Sequence, residues 1–216
     1  MLGITELTLI KVLFISSIMN NPHQGGISTK YVKDINTRAV LNALREMRTA
    51  AIKDIASQCD LSVVTVQGII RKLIDQKRVI PKGTSPSSGG RPSQCYAYNE
   101  TYQLGLLIFT REIDQTDTVC IRVTNLYGEH HDAADHAVPQ IDYRSLETLI
   151  AETISTHEAI QAIAIGLPGV EYEGNIVTMD YNTFIGTPIR TQLQDRFSLP
   201  VIIENDVNAA VLGRRE

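Results

Sequence analysis

Apolar positions in the first hundred residues recur at helical spacing. In "TRAVLNALREM" (37–47), Val40, Leu41, Leu44 and Met47 fall on one helical face. "AAIKDIASQCD" (50–60) reads as a second, short helix with Ile52, Ile55 and Ala56 inward. "LSVVTVQGIIRKLIDQ" (61–76) reads as a third. Ser62 suits its N-cap, and Val66, Ile69, Ile70, Leu73 and Ile74 form one apolar stripe. The pattern then shortens to two strands, "RVIPKG" (78–83) and "QCYAYN" (94–99). The polar "TSPSSGGRPS" between them is too long for a tight hairpin.

Beyond residue 100 the apolar runs become strand-like. "LGLLIFT" and "TVCIRVTN" are joined by the acidic "REIDQTD" (111–117), and "EHHDAADHAVP" is a weaker third strand. "YRSLETLIAETIST" is a helix, and "AIAIGLPG" is a buried strand ending in a glycine-proline-glycine turn. "GNIVTMD" is a short strand or a loop. "PIRTQLQDRF" is a helix, "PVIIEN" a strand and "DVNAAVLGRRE" a helix. The core order is βββαβαβα, which implies a mixed sheet with helical crossovers. Three regions follow: an N-terminal helix and turn-rich linker (1–30), a three-helix and hairpin head (31–100), and an α/β lobe (101–216).

Charge sharpens the division. Residues 1–100 carry 13 Lys/Arg against 7 Asp/Glu, net +6; residues 101–216 carry 7 against 17, net −10. Such a split points the first half alone at a polyanion. Cys59, Cys95 and Cys120 are far apart, odd in number and without a CxxC spacing, which suits a reduced, cytoplasmic protein. "TLIKVLFISSIM" (8–19) is interrupted by Lys11, follows no basic segment and is too short to span a bilayer. It reads as an amphipathic or buried helix, or as an arm that binds a partner; no membrane association is expected.

Three short helices followed by a hairpin form the winged helix-turn-helix arrangement, with "QCDLS" as the turn. The outer face of the third helix carries Ser62, Val63, Thr65, Gln67, Arg71 and Lys72. Gln67 can make a bidentate contact with adenine, and Ser62 and Thr65 are short enough to reach phosphates or base edges. In the loop, Gly89 and Gly90 free the backbone and Pro92 restricts Arg91, a tip suited to a minor groove. A helical interaction module with a solvated face has the same element order. The charge split and the loop favour double-stranded DNA as the partner.

The motifs together resemble the ROK family of repressors and sugar kinases. The resemblance covers about residues 33–216. It rests on "VKDINTRAVLNALREMRTAAIKDIASQCDLSVVTVQGIIRKLIDQKRVI", on "GGRPS", on "GLPG" (166–169), on "GNI" and on "LPVIIENDVNAAVLG". It implies an actin-like (ribonuclease H-like) sugar-binding lobe after the head. By the resemblance, Asn205 holds a sugar hydroxyl and Asp206 matches the kinases' catalytic base. Gly169 and Asp180 would line the same pocket. Asp180 stands where many relatives have asparagine, and Phe184 where many have tryptophan. Asp206 also suits a plain helix cap.

The family's zinc motif of histidine and cysteine is not matched here, so no cofactor is expected. His130, His131 and His136 with Asp132 and Asp135 are a tempting cluster, but a strand sends alternate side chains to opposite faces. Kinases of the resembling class hold ATP with a glycine-rich turn between the first two strands. "REIDQTD" has no glycine and carries Glu112, Asp114 and Asp117, which repel a triphosphate. The expectation is therefore a non-enzymatic repressor of carbohydrate-utilisation genes that binds DNA as a homodimer and carries an incomplete sensing domain whose effector would be a sugar or sugar phosphate. The alternatives are a kinase-like protein and a dimerisation module. The chain ends in the helix that leads to the second lobe of such a cleft, so weak sugar binding by the chain itself is expected.

Overall fold

The computed structural model describes residues 29–85, 92–167, 169–172, 175–179, 184 and 186–205. The chain divides into two compact units, with the boundary between Tyr102 and Gln103.

The first unit runs α1 (Thr29–Met47), β1 (Ala50–Ala51), α2 (Ile52–Cys59), α3 (Val63–Asp75), β2 (Val79–Ser85) and β3 (Ser93–Tyr98). α1 starts eight residues before the stretch "TRAVLNALREM" and takes in the end of the expected linker. Thr37 lies mid-helix, its hydroxyl donating to the Lys33 carbonyl at 2.7 Å. The added turns carry exposed Tyr31, Val32 and Ile35, so no inward stripe betrays them in the sequence. Val40, Leu41 and Leu44 are buried as expected, joined by Ala43. Met47 is not: it is 36% exposed, because it ends the helix and Arg48 follows at φ 61°.

A second correction concerns Ala50 and Ala51. They do not open a helix but form a strand paired with β3, Ala50 opposite Tyr96 and Ala51 opposite Cys95. Their small side chains are buried at this close approach. The resulting sheet is antiparallel in the order β1-β3-β2. Between α2 and α3 the chain reverses at Asp60 (φ 52°), and the Leu61 amide donates to the Ala56 carbonyl at 3.0 Å. Ile55 from α2 and Val66, Ile70 and Leu73 from α3 complete the core with α1. Ile69 and Ile74 are only half-buried at its margin.

The second unit runs β4 (Leu104–Ile113), β5 (Thr116–Thr124), β6 (His130–Ala137), α4 (Tyr143–Thr156), β7 (Ile160–Leu167), β8 (Gly169–Tyr172), β9 (Asn175–Met179), α5 (Ile189–Phe197) and β10 (Val201–Asn205). Five strands make a mixed sheet in the order β10-β7-β4-β5-β6. β4, β5 and β6 are antiparallel neighbours, whereas β7 runs parallel to both β4 and β10. Helical crossovers are what permit the parallel pairs. The stretch "GNIVTMD" supplies β9, which pairs with β8 as a hairpin.

Strand alternation sorts the sheet's side chains. Leu106, Ile108, Val119, Ile121, Ile163, Ile165, Val201 and Ile203 share one core with Leu146 and Ile150 of α4 and Leu193 of α5. Phe184 is fully buried in the same core. Leu107, Ala162 and Ala164, one step along the strands, form a separate, smaller cluster with Phe109 and Ile202 beside it. Asp142 fixes the start of α4 by accepting from the Ser145 amide at 2.8 Å.

Candidate functional site

Two regions gather the functional candidates, one in each unit. In the first, Ser62, Val63, Thr65, Gln67, Arg71 and Lys72 are all exposed on α3. They are exposed because Val66, Ile70 and Leu73 turn the opposite face into the core. Ser62 is already engaged locally, since its Oγ accepts from the Thr65 amide at 3.1 Å and lies 2.8 Å from the Thr65 hydroxyl. It caps α3 and pins the Thr65 side chain, so any contact it makes outside the unit is shared with the cap. Val64, 79% exposed, does not stand out in the sequence, where it reads as one more apolar residue beside Val63.

The C-terminal end of α3 is tied to the hairpin. The Lys77 amide donates to the Ile74 carbonyl at 2.8 Å and the Arg78 amide to the Leu73 carbonyl at 2.9 Å, with Lys77 at φ 60°. This is a Schellman ending built on lysine where glycine is usual. Asn99, just past β3, donates through Nδ2 to the Lys77 carbonyl at 2.7 Å, and its backbone amide donates to the Arg78 carbonyl at 2.9 Å. Within the hairpin the β2–β3 register shifts around Gly83 (φ 72°), whose carbonyl accepts from Gln94 Nε2 at 2.7 Å. Guanidinium groups lie over tyrosine rings nearby, Arg45 over Tyr98 at 4.9 Å and Arg78 over Tyr102 at 5.7 Å. The loop tip with Gly90 and Arg91 lies outside the described residues.

In the second unit the corner expected from the sequence is partly visible. Asn205 closes β10 opposite Leu167 of the parallel strand β7, and Gly169 opens β8 just beyond. Both positions lie at the carboxyl ends of adjacent parallel strands, the edge where open α/β sheets hold ligands. Asp180 and Asp206 lie outside the described residues.

The same edge carries the β4–β5 turn, since β4 runs parallel to β7. "REIDQTD" is mostly strand. Only Asp114 and Gln115 turn, both at positive φ (49° and 61°), and Ile113 pairs with Thr116. Positive φ at both central residues defines a two-residue type I′ turn. Glu112 stands directly opposite Asp117. A turn this short, without glycine and flanked by facing carboxylates, offers a phosphate repulsion rather than a cradle.

The histidine-rich strand β6 divides as strand geometry requires. Asp135 accepts from Arg111 Nη2 at 2.6 Å and from Arg122 Nη1 at 2.7 Å. Arg122 also donates to the carbonyls of Ile121 and Ala134. Hydrogen bonding to Arg122 outweighs burial and holds the Asp135 carboxyl below its usual range, while burial pushes the Cys120 thiol up. Asp132 pairs instead with His157 at 3.0 Å, which lowers its carboxyl in turn. Among the described residues, no group of three or more histidine, cysteine or acidic side chains could hold a metal ion. Arg111, Arg122 and His157 were not legible as partners because each is remote in sequence from its aspartate.

Residues 116–215 match the model of the ROK family. They are a ROK family domain. The chain is 29% identical over 196 residues to the xylose repressor of Caldicellulosiruptor bescii, covering 85% of this chain and 48% of that protein. It is 21% identical over 190 residues to the xylose repressor of Bacillus subtilis, covering 86% and 50%. The chain thus spans about half the length of the curated relatives it matches. In fold it is similar to a crystal structure of a ROK family transcriptional regulator described as a homologue of the E. coli MLC protein. The TM-score is 0.55 at 22% identity, covering 81% of this chain and 46% of the other. Both matched repressors reach across the head as well as the ROK domain. Among the described residues, no helix is long and apolar enough to cross a membrane.

Proposed function

We propose that the chain is a DNA-binding repressor of sugar-utilisation genes. Its first unit acts as a winged helix-turn-helix and its ROK domain as one lobe of an actin-like sugar sensor. The observation that carries this reading is the exposed face of α3. Gln67, Arg71 and Lys72 stand there without a side-chain partner among the described residues, on a helix anchored at one end by the Ser62 cap and at the other by Asn99. A rigid helix with unpaired polar and basic groups suits base edges and phosphates of double-stranded DNA. Two copies on two half-sites would supply the sequence length that one short helix cannot read.

The effector in this reading is a sugar or sugar phosphate at the Gly169, Asp180, Asn205 and Asp206 corner. The xylose-repressor names of the relatives make xylose the first sugar to try. The acidic type I′ turn supports a sensing rather than a phosphoryl-transferring role. Duplex DNA from upstream of sugar-utilisation genes, titrated with the chain over a salt series, tests the proposal. Affinity should fall steeply with salt. Affinity that is absent, or indifferent to salt, overturns it.

A further inference from the structure

The centre of the exposed face of α3 holds two residues that packing among the described residues does not explain. Val64 and Gly68 are one turn apart and lie opposite the buried Val66, Ile70 and Leu73. Val64 is the most exposed of the large apolar side chains on the helix, at 79%. Leaving it in water gains nothing for folding. Gly68 sits mid-helix, where glycine destabilises the helix relative to alanine. Steric need for glycine is missing: a Cβ built at Gly68 meets nothing within 4 Å among the described residues, and its φ lies outside the left-handed region. Among the described residues, neither packing nor backbone conformation asks for glycine at this position.

A partner pressed against the helix would ask for it. Without a Cβ, the backbone of α3 can come closer to a flat surface, and the methyl groups of Val64 then project beside the gap. In a major groove the one apolar feature on a base edge is the 5-methyl group of thymine. We propose that Val64 reads a thymine 5-methyl group and that Gly68 is the clearance that lets α3 descend to it. The proposal rests on the DNA-binding reading and adds the residues that set part of its sequence preference.

The test begins with duplexes enriched by the full chain from a randomised library. Each thymine of the enriched site is then replaced by uracil, which removes only the 5-methyl group. At one thymine in each half-site the wild-type chain should lose affinity about fourfold, the worth of one buried methyl group. Val64→Ala should bind the thymine duplex more weakly by a similar factor and no longer distinguish thymine from uracil there. Gly68→Ala should raise the unfolding midpoint while weakening DNA binding about fivefold or more, the loss of a base-edge contact. That opposition separates a clearance role from a structural one. A flat uracil scan, a Val64→Ala variant that still senses the methyl group, or a Gly68→Ala variant that binds like wild type each overturns the inference. If no duplex is enriched and no salt-dependent binding is found, the DNA-binding reading itself fails, and the inference goes with it.

Discussion

Asn99 holds Lys77 across 22 residues of sequence, its Nδ2 donating to the lysine carbonyl at 2.7 Å. The carbonyl belongs to the residue that reverses the chain after α3, so this bond joins the end of the exposed helix to the base of the hairpin. The Asn99 Oδ1 is also occupied, accepting from the Thr101 amide at 3.2 Å and the Thr101 hydroxyl at 2.9 Å. Asn99→Ala should cost about 1–2 kcal/mol of stability through the lost bonds. Asn99→Asp should also destabilise, because it retains the acceptor but sets a carboxylate against the Lys77 carbonyl. Denaturant unfolding of both variants checks this; a wild-type midpoint for Asn99→Ala would contradict it.

Lys77 adopts φ 60° at a position where glycine is free of strain. Lys77→Gly should stabilise the first unit by up to about 1 kcal/mol, the left-handed penalty removed less the entropy of the unfolded glycine. Slower amide hydrogen exchange in α3 would register the gain.

The β4–β5 turn carries the same kind of strain twice, at Asp114 and Gln115. Gln115→Gly restores the residue type that a type I′ turn prefers and should raise stability by about 0.5–1 kcal/mol. Glu112→Lys should add a few tenths more, replacing like charges opposite Asp117 with an attractive pair. Thermal midpoints of the single and double variants test both, and near-additive gains are expected.

On DNA, the exposed residues of α3 should divide by chemistry. Lys72→Ala should weaken binding to all sequences and reduce the salt slope by about one. Gln67→Ala should relax preference at one base position, costing about 1–3 kcal/mol there and leaving the salt slope unchanged. Anisotropy titrations on enriched and scrambled duplexes at several salt concentrations distinguish the two patterns.

The Ser145 amide donates to Asp142 and holds its carboxyl below the usual range. A lowered folded value means that the charged cap adds stability above the unfolded value of about 3.9, and that this is lost as pH falls through the folded value. Asparagine caps a helix about as well but does not titrate. Asp142→Asn should therefore match wild type near neutrality and lose less stability than wild type below about pH 4. Parallel acid titrations followed by circular dichroism measure the difference.

Much of this molecule is written locally. Helical spacing in α2 and α3, the apolar runs of β4, β5 and β7, and Ser62 as a cap are legible because a one-sided environment imposes its period on adjacent residues. The outer face of α3 follows from the same stripe by exclusion. Where local pattern is silent, the sequence reading failed or stopped. The first turns of α1 bury nothing and left no stripe. Ala50 and Ala51 are a strand only because Tyr96 and Cys95 of β3 lie beside them. The partners of Asp135, the pairing of Asp132 with His157 and the bond from Asn99 to Lys77 join residues many positions apart. Gly68 and Val64 look ordinary in one dimension. Their oddity appears only once the core has claimed the other side of α3, because exposure is a property of the packed unit and not of the residue.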